Sequence, residues 1–224
     1  MDDARSSEDG AGRPSATGLT DAENRELREG LVAIVVGAGV DDTAANRLIR
    51  TMAAKPEALE SLIRFALGDP VRLEAVRRTG LMGAGPTRIL DDVAALTAEA
   101  LGTRYVAVSL LDDDEQLLAG CNVPGDDAER TRSVELSICK YAVVSRIPFI
   151  VDDATTNPLL AGHPAVQSGE VGAYAGIPIF SDDDQAVGTL CTWSPRPHVW
   201  TSGQILVLQD MADLASAKVF RRAI

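Results

Sequence analysis

From residue 20 onwards the hydrophobic positions fall into two kinds of run, one spaced at three and four residues, the other nearly continuous. The first kind predicts helices with one packing face, and the second predicts buried strands. Residues 1–19 belong to neither, because Asp, Glu, Ser, Gly and Ala prevail there and no large apolar side chain follows Met1 before Leu19. Such a segment buries too little apolar surface to offset the entropy of ordering, so a disordered acidic tail is expected.

Four short helices are expected over residues 20–80, as a helical extension. Thr20 with Glu23 is a capping-box pair that opens a helix from Asp21 to Val36, stopped by Gly37 and Gly39. Asp42 is the expected cap of a second helix through Met52, with Leu48, Ile49 and Met52 on one face. Pro56 opens a third to Leu67, and Asp69-Pro70 opens a fourth that ends at Gly80. These helices either form a layer of their own or pack on the domain C-terminal to them, with GLMGAG (80–85) as a linker.

Pro86 is the expected start of the strongest helical pattern, in which Ile89, Leu90, Val93, Leu96, Ala100 and Leu101 recur until Gly102. RYVAVSLL predicts a strand apolar on both faces, and QLLAGC returns as a second after Asp112-Asp113-Asp114. VPGDDAERTRS is expected as a polar, mobile cover. A helix over 133–144 capped by Ser133 comes next, then a short strand at 148–151, and one irregular helical turn in LLAGHPAV. The runs AYAGIPIF and AVGTLCTW flank Ser181-Asp182-Asp183-Asp184 and predict a hairpin at the centre of the sheet, with a solvated acidic turn. Gly176 and Gly188 mark close approaches, the first expected near Pro178 and the second opposite a neighbouring strand. Thr201 with Gln204 caps a last helix to Phe220. This order of elements predicts an α+β domain, an antiparallel sheet of five to six strands with helices on its faces, over residues 86–220.

Composition narrows the function classes. Aromatics are only 4% of the chain, so Val, Leu, Ile and Ala must fill the core. A formal net charge of -12 with only short basic pairs, Arg77-Arg78 and Arg221-Arg222, argues against a nucleic-acid partner. The N-terminus lacks a signal-peptide pattern, and LVAIVVGAGV is too short to span a membrane. Three dispersed cysteines, Cys121, Cys139 and Cys191, fit a reducing compartment, and a cytoplasmic protein is expected.

The most specific stretch is CKYAVVSRIPFIVDDATTNPLLAGHPAV followed by AYAGIPIFSDDDQAVGTLCTW. It resembles the bacterial GAF domain, a sensor module related in fold to PAS, over about residues 87–219. The pattern is carried by Cys139, Tyr141, Pro148, Asp153, Ala154, Asn157, Pro158, Tyr174, Ala175, Gly176, Pro178, Gly188, Thr189, Leu190 and Cys191. The family's Cys, two apolar residues and Asp after the last strand is replaced by Cys191-Thr192-Trp193-Ser194. The resemblance implies a pocket between sheet and short helices, with Cys139, Asp153, His163, Tyr174 and Cys191 as its ligand-binding residues. It implies a non-enzymatic sensor that signals to a separate partner protein and dimerises through the first and last helices of the domain.

Ile89, Leu96, Leu206 and Leu214 are the expected apolar stripe of that dimer, unless the extension folds over it. The two alternatives are a thiol-dependent enzyme of the free-methionine sulfoxide reductase kind and a ligand-free GAF domain used for protein contacts.

Other chemistry is thin. The sequence has no CxxC pair and no zinc-ligand spacing around His163 or His198. The motifs of bilin-binding and cyclic-nucleotide-binding relatives are absent, the cofactor is left open, and a lone loop histidine such as His163 is more often an exposed polar residue than a haem contact. The acidic clusters 112–114 and 182–184 lack the glycine and glutamate of a calcium loop, and GAGV lacks the spacing of a phosphate loop. Cys121 and Cys191 are expected as small buried hydrophobes, and Cys139 as the one cysteine beside solvent or a pocket.

Overall fold

The computed structural model describes residues 20–36, 43–123 and 130–220. The expected acidic tail, the Gly37 and Gly39 stop, the Asp42 cap, the middle of the polar cover and Arg221-Arg222 lie outside the described residues. The extension is four helices, α1 (Asp21–Val35), α2 (Thr43–Ala54), α3 (Pro56–Leu67) and α4 (Pro70–Thr79). Thr20 and Glu23 form the reciprocal capping box expected of them. Gly80 ends α4 in the left-handed conformation that a side chain would disfavour.

Helix α5 (Arg88–Leu101) starts two residues later than Pro86 suggests. Thr87 has extended backbone angles and its hydroxyl accepts from Leu90 N, so Thr87 is the cap and Pro86 lies outside the helix. Strands β1 (Tyr105–Leu111) and β2 (Glu115–Cys121) follow as expected. The end of the expected cover is instead a strand, β3 (Thr131–Ser133), paired with β2. The helix expected over 133–144 is broken. Ser133 caps only a single 3-10 turn, Val134–Leu136; the backbone extends at Ser137 and a new helix, α6, runs Cys139–Ser145. That break sets Cys139 at the first turn of α6.

Then come β4 (Phe149–Val151), α7 (Pro164–Gln167), the hairpin β5 (Ala173–Phe180) and β6 (Ala186–Ser194), and α8 (Ser202–Val219). The six strands form one antiparallel sheet in the order β3-β2-β1-β6-β5-β4, so the hairpin lies next to β1 at its centre. Gly188 faces Leu110 in that register, and a Cβ there would collide with the Ser109 carbonyl oxygen. The Gly176 expectation needs correction: its added Cβ would meet not Pro178 but the Tyr174 ring and hydroxyl, at 2.5–2.9 Å. Pro178 lies beyond the end of β4, whose pairing stops at Gly176, so no β4 residue stands opposite it.

The sheet is covered on both faces. One carries α4, α5 and α8, whose Val76, Leu90, Val93, Leu208 and Ala212 pack on Val106, Val108, Ile177 and Leu190. The other carries α6 and α7, with α1, α2 and α3 stacked outside them. Leu27, Leu31, Leu62 and Ile63 therefore share a core with Tyr141, Phe149 and Leu160, and the extension forms no separate layer. Two buried cations bind the layers. Arg72 of α4 donates to the carbonyls of Leu67 and Leu111, satisfying the C-terminal end of α3. Lys140 of α6 donates to the Glu135 carbonyl at 2.9 Å and pairs with Glu60 of α3 at 3.4 Å.

Helices α5 and α8 pack side by side. Their outer surface leaves Ile89, Leu96 and Leu206 55–59% exposed, and α1–α3 do not cover it because they lie on the opposite face of the sheet. Leu214, expected in the same stripe, is half-buried and packs inward.

Candidate functional site

The face of the sheet beneath α6 carries a buried polar band. On three adjacent strands, Gln116 of β2, Ser109 of β1 and Thr189 of β6 are all at least 96% buried among apolar neighbours. Ser109 and Thr189 are direct cross-strand partners, and Gln116 Nε2 donates to Ser109 Oγ at 2.6 Å. A buried polar side chain is costly unless bonded, so such a band is retained only with partners or with a use.

Above the band meet three of the residues marked in the sequence. Cys139 of α6, Tyr174 of β5 and Cys191 of β6 converge, with the two Sγ atoms 3.8 Å apart. Tyr174 Oη donates to Cys139 Sγ at 3.3 Å, and Gln116 Nε2 reaches the same sulfur at 3.5 Å. Cys191 Sγ has the Ala107 carbonyl as a second acceptor, at 3.6 Å. Donors thus gather on Cys139. Its hydrogen bond with Cys191, backed by the Tyr174 hydroxyl, holds the Cys139 thiol below the ordinary thiol range against the opposing effect of burial. The same hydrogen bond, then burial, pushes Cys191 up. Tyr174 is raised well above its ordinary value, first by burial, and stays a donor.

These groups floor a cavity of about 60 Å³, room for a handful of heavy atoms. Its walls are Leu118, Leu136, Ile138, Val171 and Trp193, and the exposed Arg132 and Glu170 also line it. Trp193 is braced by stacking on Tyr105, with centroids 5.3 Å apart.

His163 supplies the remaining polar group. It is the cap of α7, where Nδ1 accepts from Ala165 N at 3.2 Å, so the proton resides on Nε2. The side chain is 8% exposed and lines the cavity, and Nε2 has no hydrogen-bond partner at ordinary distance. Burial, then the Lys140 charge, lowers its pKa, against the pull of the Leu136 carbonyl.

The structure thus brings together four of the five residues expected at the site and leaves one apart. Asp153 lies in the turn after β4, where Oδ1 accepts from the backbone and hydroxyl of Thr155, and it lines a separate cleft beside Ile34 and Trp200. The cysteine expectation is corrected as well. Cys191 shares the cavity with Cys139, and the partly exposed cysteine is Cys121, at the end of β2. Gln116, Ser109 and Arg132 were missed. A single polar residue inside an otherwise apolar strand run, Ser109 in VAVSLL, was the available signal for that residue. Among the described residues, no group of three or more His, Cys, Asp or Glu side chains is arranged to hold a metal ion. No described helix is long and apolar enough to cross a membrane.

A family model described as GAF domain matches residues 85–219. A cyclic di-GMP phosphodiesterase of Pseudomonas aeruginosa is 27% identical over 147 residues, 64% of this chain; the chain spans 24% of that relative's length. Among solved structures, the GAF domain of an Acinetobacter phosphoenolpyruvate-protein phosphotransferase aligns with 68% of this chain and 95% of its own, at 14% identity and a TM-score of 0.49. The free methionine-R-sulfoxide reductase of Neisseria meningitidis aligns with 82% of this chain and 93% of its own, at 21% identity and a TM-score of 0.47. Since the family model spans more than half of the sequence and contains the whole sheet, the chain belongs to the GAF domain family.

Proposed function

We propose that this GAF domain is a sensor that binds a compact polar molecule in the cavity between the sheet and α6–α7. The carrying observation is His163: its side chain lines the cavity, and Nε2 is buried with no hydrogen bond at ordinary distance, though the Leu136 carbonyl is near enough to pull on the ring. An unmet buried donor costs about 1–3 kcal/mol, which a ligand oxygen or nitrogen placed there recovers. The volume of about 60 Å³ favours a ligand that places a few heavy atoms inside, far below the several hundred Å³ of sites for drug-sized molecules.

The output runs through α6. That helix carries Cys139 on the cavity side and Lys140 against Glu60 of α3, so a shift of α6 on binding is felt by the helical extension. The exposed Ile89, Leu96 and Leu206 on α5 and α8 favour a homodimer across those helices. In the Pseudomonas relative the matched segment is about a quarter of a protein named for cyclic di-GMP hydrolysis, which fits a module that accompanies another activity.

Thermal unfolding of the reduced full chain with a panel of small carboxylates, amides and ureas tests the reading. A ligand at a hundredfold its Kd adds about 2.7 kcal/mol of stability, a clear rise in Tm. His163→Asn keeps a capping acceptor for α7 and loses the reach of Nε2, so the rise is expected to vanish in that variant. No rise with any compound, together with no retained adduct in native mass spectrometry, overturns the sensor reading. Turnover of methionine sulfoxide replaces it with the thiol-enzyme alternative.

A further inference from the structure

We propose that Cys139 and Cys191 are a modification site for small hydroperoxides, at which the two thiols are converted to a reversible disulfide on the floor of the cavity. The proposal stands apart from the ligand reading, since it concerns the thiols themselves and not an occupant.

Three features of the geometry carry it. First, the sulfurs are 3.8 Å apart, in van der Waals contact, though they come from α6 and β6 and are 52 residues apart in sequence. An S–S bond of about 2 Å needs an approach of less than about 2 Å, within the range of side-chain rotation and a small shift of the first turn of α6. Second, the two sulfurs are not equivalent. Cys139 Sγ receives Tyr174 Oη and Gln116 Nε2, which stabilise a thiolate, whereas Cys191 Sγ has a carbonyl to donate to. Cys139 is therefore the attacking sulfur and Cys191 the resolving one, a division that matches the lowered pKa of the first and the raised pKa of the second. Third, both cysteines line the cavity, which gives a reagent of a few atoms a route towards them although each is only 3% exposed.

The chemistry balances in two steps. The Cys139 thiolate attacks one oxygen of the hydroperoxide and the O–O bond breaks. Cys139 becomes a sulfenic acid, oxidised by two electrons, and the other oxygen leaves and takes a proton as water or an alcohol. Cys191 Sγ then attacks Cys139 Sγ: the S–S bond forms, the S–O bond breaks, and the departing hydroxide takes the Cys191 proton to leave as water. Tyr174, which keeps its proton, is a positioning residue that holds the first thiolate in place. A low-molecular-weight dithiol reverses the sequence by thiol–disulfide exchange. Closing the bond draws α6 towards β6, and with it Lys140 and its partner on α3.

The full chain, reduced and then treated with hydrogen peroxide, is alkylated with N-ethylmaleimide and mapped without reduction. The expected result is one disulfide joining the Cys139 and Cys191 peptides, reversed by dithiothreitol, with Cys121 alkylated throughout. Cumene hydroperoxide, too bulky for the cavity, is expected to act at least about tenfold more slowly. In Cys191→Ser, dimedone is expected to label Cys139. If that variant does not fold, the wild-type map decides alone. Full alkylation of Cys139 and Cys191 after excess peroxide and unfolding overturns the proposal, as does a disulfide that includes Cys121. The ligand panel is run on reduced protein, so a failure here leaves its result intact.

Discussion

Gly176 leaves open the space that the Tyr174 side chain occupies: a Cβ on Gly176 would lie 2.5 Å from Tyr174 Oη. The two residues are neighbours on one face of β5, and the phenol runs along the strand over the glycine to reach Cys139. The glycine is thus needed for the position of a ring in the site.

Gly176→Ala is therefore expected to displace Tyr174 and lower stability by about 1–3 kcal/mol. Tyr174→Ala in the same background should recover part of that loss, giving non-additive ΔΔG values in a double-mutant cycle followed by urea unfolding. Additive values would mean that the two side chains do not compete for the same space.

Gly188→Val tests the sheet centre separately. The added side chain meets the backbone of β1, which cannot rotate away as a side chain can. A loss of at least about 1–3 kcal/mol is expected from the urea midpoint, and an unchanged midpoint contradicts the β1–β6 register.

The depressed pKa of His163 gives a pH dependence. The folded ring binds its proton more weakly than the unfolded ring, whose ordinary value is 6.5. Stability from this group is therefore full above about pH 6.5, falls as the pH drops through that value, and levels off below the folded-state pKa. Lys140 reinforces the effect, while Glu170, Glu60 and the Leu136 carbonyl oppose it. Urea midpoints between about pH 7 and about pH 5.5 should slope in the wild type and flatten in His163→Asn.

Glu60→Gln probes the link from the site helix to the extension. Lys140 is 3% exposed and would keep the Glu135 carbonyl, the Tyr141 ring face and a neutral partner. A loss of about 1–2 kcal/mol is expected, discounted because Glu60 is itself half exposed. Urea unfolding of the variant checks the value.

The homodimer proposal makes the Leu96→Glu, Leu206→Glu double variant a folded monomer by light scattering, with unchanged circular dichroism. Both side chains are more than half exposed, so charge there costs the protomer little. A wild-type chain that is already monomeric at high micromolar concentration contradicts the proposal.

By itself, the sequence determined what depends on neighbours a few residues apart. The capping boxes at Thr20/Glu23 and Thr201/Gln204, the left-handed stop at Gly102 and the β5–β6 hairpin are local, because hydrogen bonds across three or four residues and period-two or three-and-four burial leave their mark in adjacent positions. The family resemblance pointed to Cys139, Asp153, His163, Tyr174 and Cys191 as a set, and all but Asp153 line one cavity. Only the tertiary structure decided how they meet. The break at Ser137 that turns Cys139 inward, the pairing of Cys139 with Cys191, the Gln116–Ser109 bond and the unmet Nε2 of His163 all depend on which strands lie side by side. The seating of α1–α3 over α6 is of the same kind. An amphipathic helix shows in its sequence that one face must be buried, but the surface that buries it is set by the packing of elements far away along the chain.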